Sequence, residues 1–302
     1  MEPVIAASKL TKRFRRVLAV DGLDLTVERG EVFGFLGPNG AGKSTTLRMM
    51  VGLIRPSRGS VRLFGHDAWS EHCAALRNVG AMIESPAFHK YLSGRDNLRI
   101  LHNTGGNCTS KEIDEALDIV GLLDRANDKV KAYSQGMRQR LGIALAILGK
   151  PELILLDEPT NGLDPQGMKE VRDLIGRLSR DRDLTVFLSS HLLHEVEQVC
   201  TRIAVVNKGR VIESGAVSDL LRQSDTYDVH VHPPEVAAEA LQGLEWATVT
   251  NSSASMINVR LTGRNAAELN RTLVEKGVAV SALIPRKPSL EELYLRLMDE
   301  KC

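Results

Sequence analysis

The stretch Gly37-Pro38-Asn39-Gly40-Ala41-Gly42-Lys43-Ser44 constrains the fold of this chain more than any other. It matches G-x-x-x-x-G-K-[ST] and follows an apolar run over residues 32–36. After it, Leu47, Met50, Val51 and Ile54 recur as one helical face. A strand, a glycine-rich turn and a helix in that order make an anion cradle. The glycines let backbone N–H groups curl around a phosphate, and the helix N-terminus adds its positive dipole end. Lys43 can reach β- and γ-phosphates, and Ser44 can bind Mg²⁺, with Thr45 beside it in the first helical turn.

A second motif suits the same chemistry. Leu153-Ile154-Leu155-Leu156 is an apolar strand that ends in two acids, Asp157 and Glu158. Strand periodicity sends adjacent side chains in opposite directions, so one carboxylate can serve a metal while the other addresses an attacking water. Asp157 is the Mg²⁺ residue on this reading, through water, and Glu158 is the catalytic base. Without the phosphate loop, the pair would read as two solvated acids at a strand end.

Around these motifs, short apolar runs alternate with helical stripes. Residues 185–189 read as a buried strand. Met168, Val171, Ile175 and Leu178 read as a helix with Asp164 as N-cap and Pro165 in its first position. That alternation predicts an α/β fold with a mainly parallel sheet. Residues 85–150 interrupt it as a helical insertion, including a stripe of Leu141, Ala144, Leu145 and Leu148 capped by Ser134. Strands over 226–231, 247–250, 256–261 and 278–284 then mix with helices over 234–241 and 266–275. Ser289 and Glu292 form a capping box for a last helix. The expected domains are 1–223 and a small α+β module over 224–302.

Composition excludes several classes. Lys plus Arg is 39 against 38 Asp plus Glu, a net charge of +1, and aromatics are 4%. Neither a broad basic face nor stacking platforms for nucleic acid are suggested. No apolar run approaches the ~18 residues that span a bilayer. The start, Met1-Glu2-Pro3, lacks a signal-peptide profile. Cys73, Cys108, Cys200 and Cys302 form no C-x-x-C pair, which points to reduced thiols in a cytosolic protein.

In its ordered motifs the chain resembles the ATP-binding cassette (ABC) transporter ATPases. Tyr133-Ser134-Gln135-Gly136-Met137-Arg138-Gln139 stand where that family has its signature sequence. Pro159-Thr160-Asn161-Gly162-Leu163-Asp164-Pro165 resembles its D-loop. His191 falls at its switch histidine, and Phe14 resembles the aromatic residue that stacks on adenine. The resemblance covers residues 4–222. It implies ATP and Mg²⁺ as ligands and an antiparallel β edge beside the parallel sheet. It also implies two cassettes packed head to tail, each ATP lying between one phosphate loop and the partner's signature. Ser134 and Gly136 would then be half of a site completed by a second copy, which favours a homodimer. His191 would hydrogen-bond the γ-phosphate. Asp164 keeps a competing role as N-cap, and Phe14 a competing role in core packing.

Glu84 stands where the family usually has glutamine. A carboxylate still offers oxygen to Mg²⁺ or water, while adding negative charge near the γ-phosphate. Glu84-Ser85-Pro86 and Ser134-Gln135-Gly136-Met137 resemble cassettes that serve bacterial exporters of peptide antibiotics and other drugs. The ending Pro288-Ser289-Leu290-Glu291-Glu292-Leu293-Tyr294 resembles the closing helix of an accessory domain in such exporter ATPases. The implied protein is a cytoplasmic ATPase subunit, peripheral on the inner face of the cell membrane. It would drive export through a separate transmembrane permease, docking through residues 88–98, with no nucleic-acid partner. The alternative is a non-transport cassette ATPase acting on nucleic acid or ribosomes. A regulatory module that does not hydrolyse would lack Glu158 or His191, and both are present.

Overall fold

Three strands are buried at every position: β3 (Val32–Leu36), β7 (Leu153–Asp157) and β8 (Thr185–Ser190). Such continuous burial belongs to a sheet covered on both faces. The computed structural model describes the chain apart from residues 1, 85, 104–107, 222–225, 254, 287–288 and 301–302. These strands join β6 (Val79–Met82), β9 (Arg202–Asn207) and β10 (Arg210–Ala216) in the order β10-β9-β3-β8-β7-β6. Every pairing is parallel except the β9–β10 hairpin. Phe33 and Phe187 stack at 5.6 Å between ring centroids, and Phe35 lies 5.5 Å from Phe187.

A second, antiparallel sheet holds β1 (Ile5–Phe14), β2 (Val17–Val27), β4 (Arg58–Leu63) and β5 (His66–Asp67), in the order β2-β1-β4-β5. The sequence reading assigned no strand before residue 32. The β1–β2 ladder shifts register between Ala7 and Leu10, Leu10 and Lys12, and Lys12 and Arg13. Those irregularities break the period-two pattern on which strand recognition rests.

The helices of this unit are α1 (Lys43–Met50), α2 (His72–Ala75), α3 (Gly94–Asn103), α4 (Ser110–Ile119), α5 (Gln135–Ile147), α6 (Pro165–Arg182) and α7 (Leu193–Val199). α8 (Val217–Leu220) follows β10. Helices α3 to α5 fill the expected insertion, and Arg95 pairs with Asp114 across α3 and α4. Asn97 is fully buried; its Oδ1 accepts from His89 N at 2.7 Å and its Nδ2 donates to Ser93 O at 2.8 Å, shaping the loop before α3. α1 is shorter than its stripe suggests, because Gly52, with φ 67°, ends it before Ile54. Leu148 caps α5 in extended backbone instead of continuing its stripe.

The chain divides into two units, Met1–Val217 and Ser218–Cys302. The boundary expected at 223/224 falls outside the described residues, as do Ser85, Pro288 and Cys302. The second unit is an antiparallel sheet of β11 (Thr226–His232), β12 (Ala247–Ser253), β13 (Met256–Leu261) and β14 (Ala279–Pro285), ordered β12-β13-β11-β14. Its other elements are α9 (Pro234–Leu241), α10 (Ala266–Glu275) and α11 (Leu290–Glu300). Val229, Ile257 and Val259 pack with Leu269 and Leu273 of α10 in one core. Glu292 N donates to Ser289 Oγ at 3.2 Å, while the Glu292 carboxylate pairs with Arg286 at 2.6 Å, so the expected capping box is half formed.

Phe187→Ala removes the ring between Phe33 and Phe35 and is expected to cost about 3–5 kcal/mol of unfolding free energy. Chemical denaturation checks this, and an unchanged midpoint for the first unit would contradict the packing described.

Candidate nucleotide site

The turn from β3 to α1 is built where only glycine fits. A Cβ on Gly37 would lie 2.3 Å from the Val206 carbonyl oxygen. Gly42, the N-cap of α1, has φ 101°, and its Cβ would lie 2.4 Å from the Ala19 carbonyl oxygen. The backbone therefore approaches both β9 and β2 as closely as atoms allow, which leaves the N-terminus of α1 open.

Lys43 is the first residue of that helix and is 6% exposed. A buried ammonium needs partners. Its Nζ donates to Gly37 O at 2.7 Å and Pro38 O at 3.3 Å, and lies 3.1 Å from Glu158 Oε1. Glu158 Oε2 lies 2.8 Å from His191 Nδ1. One carboxylate thus joins the phosphate loop to the residue beyond β8. Glu158 has φ 50°, a left-handed backbone that side-chain-bearing residues seldom adopt.

Asp157 is the last residue of β7 and is 4% exposed, while Glu158 follows outside the strand, where alternation no longer sets its direction. Asp157 Oδ1 accepts from Ser189 Oγ at 2.6 Å. The same hydroxyl accepts from Glu158 N at 3.0 Å. Ser189 therefore orients both acids, a role the sequence reading missed. The signal was available in the polar end Ser189-Ser190-His191 of an otherwise apolar strand, because β7 and β8 pair Asp157 with Ser189.

These residues surround a cleft of about 310 Å³. Its wall includes the expected Asn39, Gly40, Gly42, Lys43, Ser44, Thr45, Glu158 and His191, together with Ala19 and Asn161, which were not expected. Gly37 and Ala41 are buried beneath it, and Pro38 is exposed. Phe14 ends β1 at 43% exposure, with Lys12 Nζ 5.0 Å from its ring centroid. Glu84 is directed to Arg48 of α1 and does not line the cleft.

The signature stretch lies apart from this wall. Ser134 caps α5, accepting from Met137 N at 3.2 Å, and Gly136 sits in the first turn. Both ends of the D-loop are fixed locally. Gln135 Nε2 donates to Asn161 O at 3.4 Å, and Asp164 caps α6 by accepting from Gly167 N at 3.0 Å. At the start of the signature stretch, burial and the nearby Asp128 hold the Tyr133 hydroxyl above the usual phenol range. It keeps its proton and donates to Arg125 O at 2.7 Å.

A strand-loop-helix cradle with a buried lysine, a hydroxyl and paired acids has the features that suit a nucleoside triphosphate, and comparison with known proteins places the chain in a class. The profile of the ABC transporter family matches residues 20–161. The ABC transporter ATP-binding protein YhcH of Bacillus subtilis is 41% identical over 99% of this chain and 97% of its own length. The bacitracin transport ATP-binding protein BcrA of Bacillus licheniformis is 37% identical over 99% and 98%. The dimeric structure of an ATP-binding cassette bound to ADP and Pi covers 70% of this chain and 98% of its own, with TM-score 0.63 and 24% identity. The chain belongs to the ABC transporter ATP-binding family. It is an ATPase of that family, with the P-loop cassette fold.

Ser189→Ala strips a hydrogen bond from buried Asp157 and is expected to cost about 1–3 kcal/mol of stability. Thermal unfolding checks this, and a melting point equal to the wild type would contradict the role of Ser189.

Proposed function

We propose that the protein hydrolyses ATP to drive export of a drug or peptide antibiotic through a separate transmembrane permease. The observation that carries the reading is the continuous contact Lys43–Glu158–His191 along the wall of a phosphate cradle. Lys43 exchanges its Glu158 contact for the β- and γ-phosphates when ATP enters. Glu158, freed, accepts a proton from the attacking water. The water oxygen forms a bond to the γ-phosphorus as the bond to the β–γ bridging oxygen breaks, and ADP carries the electron pair away. His191 holds the γ-phosphate oxygens.

The donors suit Mg²⁺, which binds hard oxygens. Ser44 would hold it directly, with Asp157 through water and Glu84 as a further oxygen donor once released from Arg48. When bound, the ion neutralises charge developing on the phosphates. Backbone N–H groups of Asn39, Gly40 and Gly42 face the phosphates, Gly37, Pro38 and Ala41 shape the loop that presents them, Thr45 supports them, and Phe14 stacks on adenine.

Ser134 and Gly136 present a capped helix start at the surface, suited to a phosphate from a second copy. The dimeric arrangement of the solved cassette supports a homodimer in which Asp164 lies at the junction. Among the described residues no helix is long and apolar enough to cross a membrane. On this reading the subunit works from the inner face of the membrane, docked through residues 88–98, where Tyr91 is 77% exposed. The module beyond 223 is an accessory domain on this reading. The name of BcrA speaks of transport, which supports this over action on nucleic acid or ribosomes.

Glu158→Gln is expected to lower ATP turnover by about 10²–10⁴-fold. ATP binding should persist, with a dimer visible by sedimentation in ATP. Wild-type turnover no faster than that of the variant would favour a regulatory module instead.

A further inference from the structure

Arg48 lies in the last turn of α1, the helix that begins with Lys43, Ser44 and Thr45. Its guanidinium pairs with the carboxylate of Glu84. Glu84 follows β6, which runs parallel to β7 with Met82 opposite Leu156. Two residues further along each strand, Glu84 and Glu158 occupy matching places beyond adjacent strand ends. Both have left-handed backbone, with φ 66° and 50°. Together with Asp157, they gather three carboxylates beside a cradle that must accept a polyanion.

Like charges so arranged repel one another and an incoming triphosphate unless compensated. Helix α1 supplies the compensation twice. Lys43 answers Glu158 at 3.1 Å, and Arg48 answers Glu84. A neutral amide at position 84 would need no such counter-charge.

We infer that Arg48 is a positioning residue for the nucleotide site, holding the Glu84 carboxylate outside the cleft and cancelling its charge until nucleotide and divalent cation arrive. The inference rests on the reading of Glu84 as an oxygen donor. The pair is suited to exchange. The Glu84 side chain is 62% exposed and that of Arg48 34%. A pair so open to water is held weakly. A divalent cation carried by a triphosphate offers the carboxylate a stronger partner.

The test measures binding of a fluorescent ATP analogue to the full chain, with and without Mg²⁺. It compares wild type, Arg48→Gln, Arg48→Lys, Glu84→Gln and the double variant Arg48→Gln/Glu84→Gln. Glutamine keeps the helix propensity of arginine, and a melting curve confirms that each variant is folded. Arg48→Gln is expected to weaken Mg²⁺-free binding by roughly threefold to tenfold and to enlarge the gain on adding Mg²⁺ by a similar factor. Arg48→Lys should restore most of the wild-type behaviour. With Glu84→Gln already present, Arg48→Gln should change either quantity by no more than roughly twofold. Equal effects of Arg48→Gln in both backgrounds, or none in either, overturn the inference. Glu84→Ala, measured in the same way, leaves no side-chain oxygen at this position and separates the two readings. If it leaves the Mg²⁺ gain unchanged, Glu84 is no donor and both fall. If it alters the gain while the two sites act independently, only the role of Arg48 falls.

Discussion

A buried ammonium holds the phosphate loop to the sheet. Lys43 is 6% exposed, and its charge is tolerated because the Gly37 carbonyl and the Glu158 carboxylate both meet it. That contact depends on three strands ending at one level. β3 delivers the loop, β7 delivers Asp157 and Glu158, and β8 delivers Ser189 and His191. Parallel pairing puts all their C-terminal ends on the same edge, where α/β sheets bind ligands. The stacked rings of Phe33 and Phe187 keep β3 and β8 in that register from within the core.

Charge placement then divides the labour. Asp157 ends β7 and Glu158 follows it, and one hydroxyl, Ser189, bonds to both residues. Left-handed backbone at Glu158 turns its carboxylate back over the cradle. Strain of this kind persists where surrounding contacts over-determine the geometry, and here Lys43, His191 and Ser189 do so. Glu84 shows the same device one strand over, with Arg48 as its counter-charge.

The sequence was most informative where local chemistry and pattern agree. The phosphate loop, the caps Ser134 and Asp164, and the bounds of β3, β13, α9 and α10 follow from short-range rules and agree with the structure. The antiparallel sheet was read only as an edge implied by resemblance, because bulges in β1 erase its alternation. Ser189 was missed because its role arises from strand pairing between residues 32 apart. The Arg48–Glu84 pair was hidden for the same reason, since it joins a helix to a strand end 36 residues away. Asn161 entered the cleft wall through the path of the D-loop, which spacing alone does not trace.

The central claim is that this cleft recognises the terminal phosphates through Lys43. Calorimetric titration of ATP, ADP and AMP into the wild type and Lys43→Ala tests it most directly. The account predicts that ATP and ADP bind far more tightly than AMP, and that Lys43→Ala abolishes the difference. Equal affinity for ATP and AMP in the wild type, or ATP binding untouched by Lys43→Ala, would contradict it.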